Sequence, residues 1–579
     1  MSKNNHTKTP LSRRGFLAGA TVGSVGAFVA REAIGQEFID TGLTLDDLEG
    51  EWWLTNADDF GTDPVDPVTP PDEDEPLGTT PTPPVEETLA IRRDIYTLAE
   101  GGREIQSLRR GIAEMKRRSF LDPRDPTGWF FQAAIHGGQV GSQVQRCQHA
   151  NRFFLSWHRM YLYYFERILR AASGDDTLTL PYWDYSIPGR ASLPPATRFP
   201  NNADQNPLYW PTRHPYYNGG GALPSNIVEV ESTLRANNFD GALGFNRALE
   251  SQPHNGVHVQ IGGSMASVND AGQDPIFWLH HCNIDRQWNR WLSRGGPRQN
   301  PSDLEFLSQR YNFYTESGQL VSIVGEDILD TQNLGYRYDD DPAQPPVVSA
   351  FVVASAPPPD PQSPFSVGLE STRPNSTAPA PAALAAAAPQ PIARRASATL
   401  AEAAPDIRLG GGKTKVSLRV SGPAPRPQPI FERNSVSGAS TDPNAPQPSA
   451  SIAAAPVRTT DLFVTESAAA EVSPVVLQLQ DIAFEKSPGV FNIFVNLPEG
   501  TPPDPRGPYY AGYFAPFSQN QTDAPESFDI TGLLNRQVGG GLWDGSEIDV
   551  QFIAIDPAGQ VTNVVRDPLS IGQIRIIRE

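Results

Sequence analysis

The sequence predicts a mainly α-helical domain followed by a C-terminal all-β domain. In the first half, apolar side chains recur three or four residues apart, which is the period of one helix face. The clearest run is Phe154, His158, Tyr161, Phe165 and Ile168. Near the C-terminus the apolar residues alternate, as in Phe491, Ile493 and Val495, which is the period of a β-strand. A proline- and alanine-rich stretch between the two patterns indicates a linker.

The first 35 residues have the pattern of an export signal. A Ser-Arg-Arg-Gly-Phe-Leu sequence begins at Ser12, and a Gly- and Ala-rich apolar run extends to Ala30. Ala33 and Gly35 are small residues placed for cleavage. We predict that residues 1–35 are a signal peptide through which the twin-arginine translocase exports the folded chain to a bacterial periplasm or exterior. The alternative is a short amphipathic or membrane-anchoring helix, but the run is too short and glycine-rich to span a bilayer stably, so we expect no membrane contact after export.

Three other stretches are predicted to be extended connections. Residues 36–88 are acidic and proline-rich, residues 341–400 are rich in proline and alanine, and a low-complexity insert spans about 422–457. The 57 prolines among 579 residues are about twice the usual share, which agrees with long non-globular segments. The packed parts that remain are a helical domain at 89–340 and a β domain at 401–579.

Charge and cysteine content exclude several classes of protein. The formal net charge is -20 at pH 7, and such a surface repels nucleic acid and anionic membranes. We therefore predict no nucleic-acid partner. The two cysteines, Cys147 and Cys282, each lie close to a histidine, so they are not the disulfide framework of a small secreted domain.

The histidines are clustered. Seven of the nine lie in two helical, aromatic-rich blocks: His136, His149 and His158 in the first, and His254, His258, His280 and His281 in the second. A lone histidine on an apolar helix face is usually a core residue with a backbone partner, whereas clustered imidazoles favour Cu, Zn, Fe or Ni. His254 and His258 are four residues apart, a spacing that puts both on one face of a helix.

The two blocks resemble the copper A and copper B motifs of the tyrosinase and polyphenol oxidase family of type-3 copper proteins. The first contains H-x8-H followed by R-x-Y-L-x-x-F-E-R, and the second contains H-N-x-V-H and D-P-x-F-x-x-H-H-x-x-x-D-R-x-W. The resemblance implies two copper ions per chain inside a four-helix bundle. The ligands that it implies are His136, His149 and His158 for one ion, and His254, His258 and His281 for the other. Phe277, His281, Ile284 and Trp288 share a helix face, so we expect His280 to point elsewhere, in a supporting role.

The resemblance also implies an activity. Members of the family use dioxygen to oxidise phenols and o-diphenols to o-quinones, as tyrosinases or catechol oxidases, so dioxygen and a phenolic small molecule are the expected partners. A haemocyanin-like oxygen-binding protein is the alternative. Against it stand the single catalytic unit, the bacterial-type export signal and the lack of a tandem repeat. A copper-storage protein is a third, weaker interpretation.

Four polar residues are further candidates for roles around the copper ions. Glu250 lies four residues before His254, and Asn255 directly follows it. Relatives hold groups at these positions that together could deprotonate a phenol. For Glu250 the alternative is an exposed charge at a helix start. Asp274 precedes a proline and is expected to cap the following helix. Asp285 lies four residues after His281 on the same face, so we expect it to be a buried partner that helps to orient the ligands, with an arginine opposite.

A thioether between Cys147 and His149 is expected, because their C-x-H spacing matches fungal tyrosinases and molluscan haemocyanins. The bond would remove a reactive thiol near copper. A buried free cysteine is the alternative.

The C-terminal domain resembles that of plant polyphenol oxidases through D-I-A-F-E-K, F-N-I-F-V-N-L and Y-Y-A-G-Y-F. We expect a small β-sandwich or barrel that covers the copper site and keeps the protein latent, with an aromatic residue between Tyr509 and Phe517 as the plug. A domain used for stability or partner binding is the alternative.

Overall fold

The computed structural model describes residues 89–342, 398–420, 473–517 and 525–578, except for single positions at 142, 404, 544, 546 and 566. The predicted signal peptide, the acidic segment 36–88, nearly all of the linker and the insert at 422–457 lie outside the described residues. The helical and β parts belong to one compact unit. Within the described ranges, no helix is both long and apolar enough to cross a membrane.

Nine α-helices are found in the described residues. They are α1 Arg103–Leu121, α2 Trp129–Gly137, α3 Phe154–Ser173, α4 Pro215–Asn218, α5 Phe245–Leu249, α6 Gly256–Ile261, α7 Pro275–Ser293, α8 Leu304–Ser308 and α9 Thr531–Gly539. The first eight form the helical domain. Strands β1 Ala90–Arg92 and β4 Tyr336–Tyr338 pair in parallel and bring its two ends together, and β2 Arg310–Tyr314 pairs with β3 Leu320–Val324.

Two long helices, α3 and α7, form the centre of the helical domain. Fifteen of the 20 residues of α3 and 15 of the 19 residues of α7 are buried, as expected of helices that carry apolar and aromatic side chains around most of their circumference. The α7 helix begins where Asp274 accepts a hydrogen bond from the Ile276 amide, with Pro275 in its first turn, so the predicted cap is confirmed. The α3 helix ends before Gly174, whose φ of 66° suits glycine.

The C-terminal domain is a nine-stranded antiparallel sheet with helix α9 packed into it. Its strands are β5 Ala398–Glu402, β6 Ile407–Leu409, β7 Lys413–Val420, β8 Val475–Ala483, β9 Val490–Val495, β10 Tyr510–Phe514, β11 Glu526–Asp529, β12 Glu547–Ile555 and β13 Leu569–Arg578. The order β10-β9-β12-β7-β5-β13-β8-β11 leaves β10 and β11 at the edges, with β6 paired to β13. Every strand contributes to one apolar core, so the sheet curls around it.

One edge of this sheet packs against the helical domain. Val490, Tyr513, Ala515 and Ile555 join the apolar core of the helices rather than the core of the sheet. The interface is also polar: the Asn226 amide donates to Asn492 Oδ1 at 3.0 Å and to Tyr510 Oη at 2.9 Å.

Candidate metal centre

Seven buried histidines form two groups on the inner faces of the helices. His136, His149 and His158 make the first group, and His254, His258, His280 and His281 make the second. Within each group the ligand atoms lie within 4.8 Å of one another. The structure thus brings together all six predicted ligands.

The first group is held by α2, α3 and the loop between them. His136 Nε2 lies 3.3 Å from His158 Nε2, and the His149 ring centre lies 5.2 Å from both other ring centres. His158 Nδ1 is hydrogen-bonded to the Phe154 carbonyl, and His136 Nδ1 to the Val268 carbonyl. Because a carbonyl oxygen accepts, Nδ1 carries the proton in both rings, and Nε2 of each ring keeps a lone pair that could bind a metal ion.

The second group is built from a kinked segment and from α7. A π-helical segment, the π-turn at Glu250–Asn255, has non-helical φ and ψ at Gln252 and leads directly into α6. The kink lies before His254, and helical backbone joins His254 to His258, so the two rings share a face as predicted, with centres 4.5 Å apart. His281 Nε2 lies 3.3 Å from His254 Nε2 and 3.1 Å from His258 Nε2, so these three nitrogens converge.

His280 does not point away from this group as the helix pattern predicted. Its ring centre lies 4.9 Å from that of His258, and it stacks on the His254 ring at 5.4 Å. The difference arises because the π-turn brings His254 to the side of α7 that His280 occupies. His280 therefore packs against two of the three converging rings, while His281 supplies the nitrogen closest to them.

The two groups face each other across the domain centre. The rings of His158 and His281 stack with centres 4.5 Å apart and planes inclined by 12°. Burial lowers the pKa of His136 to about 4 and that of His254 to about 3, and it holds the pKa of the other buried rings well below the usual value. All these imidazoles are therefore neutral at pH 7, the form that binds a metal ion.

The Phe517 side chain of the β domain lies among these rings. Its centre is 4.2 Å from that of His258, with planes inclined by 23°, and 5.5 Å and 5.7 Å from those of His149 and His254. Phe517 follows β10 and is 3% exposed. An aromatic ring from the second domain thus fills the space beside both histidine groups.

Comparisons with known proteins agree with this geometry. Residues 126–238 and 225–294 match the common central domain of tyrosinase, and residues 300–345 match the polyphenol oxidase middle domain. The helical domain is thus similar to the common central domain of tyrosinase over these residues. Tyrosinase HcTyr1 of Hahella sp. (strain CCB-MM4) is 36% identical over 301 residues, 43% of this chain and 63% of that protein. A chloroplastic polyphenol oxidase of Malus domestica is 29% identical over 345 residues, 48% of this chain and 57% of that protein.

The sequence matches are partial, whereas the fold match is broad. The chain spans about half of the length of the curated relatives that it matches. The structure of latent apple tyrosinase covers 85% of this chain and 98% of its own, with a TM-score of 0.55 and 21% identity. A latent aurone synthase covers 86% of this chain with a TM-score of 0.52 and 20% identity. These likenesses show the fold, and the predicted class of a helical domain followed by a β domain is confirmed.

The donor set of the tyrosinase-type domain fits copper. Both ring nitrogens of His149 and of His280, and Nδ1 of His281, are buried without a hydrogen-bond partner, although buried polar groups are normally paired. The converging Nε2 atoms are neutral imidazole donors, which suit copper.

Glu250 lies between the histidines and the β domain. Its Oε1 accepts from the Ala150 amide at 2.6 Å, its Oε2 accepts from Arg247 at 3.1 Å, and Oε1 lies 3.9 Å from His149 Nδ1. Burial raises the pKa of Glu250 to about 7 although Arg247 opposes that rise. Glu250 is 1% exposed, so the alternative of an exposed charge at a helix start is wrong. The Asn255 side-chain oxygen meets His254 Nδ1 at 2.9 Å.

Asp285 joins the helices of the two histidine groups. It accepts from Arg159 Nε at 2.5 Å and from the hydroxyls of Tyr336 and Tyr338 at 2.7 and 2.6 Å. Arg159 directly follows His158 in α3, so this buried pair ties α3 to α7. The expected arginine partner is thus present. Its identity could not be read from the sequence, because Arg159 is 126 positions away.

Cys147 is buried beside the first group, and burial raises the pKa of its thiol to about 12. Two residues outside the sequence-based set also reach this region: Arg247 on α5 and Glu526 on β11. No local pattern distinguished either of them, because their pairing joins segments 279 positions apart.

Proposed function

We propose that the protein oxidises phenols and o-diphenols to o-quinones with dioxygen, as a tyrosinase or catechol oxidase, using two copper ions. The observation that supports the proposal is the pair of facing groups of three and four buried histidines, in which Nε2 atoms converge. His136, His149 and His158 would hold one ion. His254, His258 and His281 would hold the other. Bound copper would supply reversible one-electron chemistry and a site for dioxygen.

The residues around the ions would bind and orient a phenol. The Phe517 ring marks a space that accepts a flat aromatic group, stacked on His258 and close to His149 and His254. A phenolic ring in that place would gain the same stacking. Glu250 would accept the phenol proton, and Asn255 would hold the proton of His254 on Nδ1 so that Nε2 stays available.

We further propose that the docked β domain keeps the protein latent. Substrate cannot occupy the space beside His258 while Phe517 fills it. A tethered domain competes efficiently, because the linker supplies a high effective concentration. The predicted linker at 341–400 would be the point at which a protease separates the two domains.

Cleavage between residues 345 and 400 tests this function. We expect the copper-loaded chain to oxidise catechol, with oxygen uptake, at a rate that rises on cleavage and separation of the fragments. Reversible oxygen binding without quinone formation in the cleaved protein would favour the haemocyanin-like alternative. An unchanged catechol rate per copper, with no inhibition when the β fragment is added back, would contradict latency.

Replacing Glu250 by glutamine tests its role in deprotonation. We expect hydroxylation of a monophenol by the cleaved protein to fall by on the order of 100-fold or more, with a smaller loss of catechol oxidation, because a catechol loses its protons more easily. Copper content should stay unchanged. The exposed Glu326 of the helical domain, replaced in the same way, is the matched control. Equal losses on both substrates would contradict the assignment.

The thioether stays a prediction that mass spectrometry can check. A peptide containing Cys147 and His149 from the copper-loaded protein should be two hydrogens lighter than its sequence requires and should resist alkylation. The S–H bond and one ring C–H bond would break as the C–S bond forms, and the two protons and two electrons released would pass to dioxygen, with bound copper supplying the redox chemistry. A Cys147 that alkylates completely after unfolding of the loaded protein would contradict the bond.

Export through residues 1–35 also stays a prediction. We expect the mature chain in the periplasm or medium of a bacterial host, and in the cytoplasm when the two arginines of the signal are replaced by lysine. The same location for both forms would contradict it.

A further inference from the structure

A charged cluster joins the β domain to the segment that carries His254. Arg247 donates through Nη1 to Glu250 and through Nη2 to Glu526 Oε1, at 3.1 and 2.9 Å. Ser251 Oγ donates to the other oxygen of Glu526 at 2.8 Å. One guanidinium thus bridges a carboxylate beside the copper site and a carboxylate of the second domain.

The cluster is enclosed. The side chains of Glu526 and Glu250 are each 1% exposed, and that of Arg247 is 9% exposed. Both oxygens of Glu526 accept hydrogen bonds from donors of the helical domain. In the docked state these donors replace the water molecules that would otherwise solvate the carboxylate. Loss of the Glu526 charge would leave Arg247 with Glu250 as its charged partner in this cluster, and removing one member of a buried charged pair is costly.

Glu526 differs from the other polar contacts between the domains. The Asn226 amide and the Gln252 side chain, which donates to the Tyr513 carbonyl at 2.7 Å, make neutral hydrogen bonds. Among the described residues, Arg247–Glu526 is the ion pair that joins the helical and β domains. Hydrogen bonds to charged groups are roughly twice as strong as neutral ones, so this pair should dominate the polar part of the interface.

We propose that Glu526 is a charged latch, held by Arg247 and Ser251, that keeps the β domain docked on the copper site and whose loss opens the site without any cut in the chain. The latch rests on the proposed function, since it deepens the regulation of that same site. It acts on the π-turn that contains His254, through Ser251. The free energy with which the β domain docks on the helical domain therefore depends on Glu526 as well as on Phe517.

The test compares uncleaved, copper-loaded chains. Glu526→Gln keeps the shape of the side chain and removes its charge. Asp549→Asn removes a charge from the same domain at an ion pair with Lys415, so it is the matched control. Catechol oxidation is measured before and after cleavage of the linker. Hydrogen exchange is followed in peptides 225–230 and 510–517 of the interface and in peptide 475–483 of the sheet core.

We expect uncleaved Glu526→Gln to oxidise catechol roughly 10- to 100-fold faster than the uncleaved natural chain, since a charged hydrogen bond contributes about 1.5–3 kcal/mol. Exchange should rise in the interface peptides alone. The cleaved forms should be equally active, and Asp549→Asn should behave as the natural chain. An uncleaved Glu526→Gln that stays as latent as Asp549→Asn, with unchanged interface exchange, would overturn the latch.

The failure of the proposed function gives a different result. In that case the cleaved natural chain would not oxidise catechol, while the interface exchange would still report whether Glu526 holds the domain. If Glu526→Gln also loosens peptide 475–483, Ser251→Ala removes a donor to Glu526 from the other side of the interface and leaves the sheet intact. Faster interface exchange in that variant supports the latch, and unchanged exchange overturns it.

Discussion

The uncleaved Phe517→Ala chain, loaded with copper, is expected to oxidise catechol roughly 10- to 100-fold faster than the natural chain. Full burial of a phenylalanine side chain contributes about 1.5–3 kcal/mol, and Phe517 is 3% exposed beside three histidine rings. The substitution weakens docking by that amount. It also vacates the space that a substrate ring would need above His258.

Phe517→Leu is the control for this effect, because leucine keeps most of the buried apolar volume and loses only the flat ring. We expect Phe517→Leu to stay largely latent. Rates are measured per bound copper, with the cleaved protein as the upper limit. If Phe517→Ala stays as latent as the natural chain while cleavage activates it, the plug is another part of the β domain.

The sequence predicted best those helices and strands in which apolar residues recur at a regular spacing. Phe154, His158 and Tyr161 lie on a buried helix because each is one turn from the next, and the alternation around Val550 gives a strand whose inner face lies in the core of the sheet. Such periods are local and need no knowledge of the partner element. The residue that fills the site was narrowed only to Tyr509–Phe517, because several aromatic side chains in that segment fit equally well.

Contacts between distant segments were beyond the reach of the sequence. Arg247 and Glu526 are two of many charges, and nothing in their neighbours indicates that they meet. The orientation of His280 was mistaken for a related reason. Helix periodicity fixes the direction of a side chain from its own helix, but the π-turn at Glu250–Asn255 decides which rings stand opposite. That turn contains Pro253, and the non-helical φ and ψ of Gln252 bend the backbone there. Neither the helix period nor the strand period predicts such a bend.

Replacing His281 by alanine is expected to remove one of the two copper ions per chain, whereas replacing His280 should leave both. The reason is geometric. His281 Nε2 lies 3.1–3.3 Å from the Nε2 atoms of His258 and His254, which is close to the separation of nitrogens around one four-coordinate ion with metal–nitrogen bonds of about 2.0–2.1 Å. His280 stacks on the His254 ring and acts through packing.

The measurement is copper per chain by elemental analysis after full loading and desalting, with circular dichroism to confirm that each variant is folded. His280→Phe keeps an aromatic ring against His254 and His258 without a donor nitrogen, so it separates packing from ligation. Two coppers in His280→Phe and one in His281→Ala would match the assignment. Loss of a copper from His280→Phe, with both retained in His281→Ala, would make His280 the third ligand of the second group. The stack on His254 would then have to open, because a ring lying flat on its neighbour cannot direct its nitrogen at the same ion.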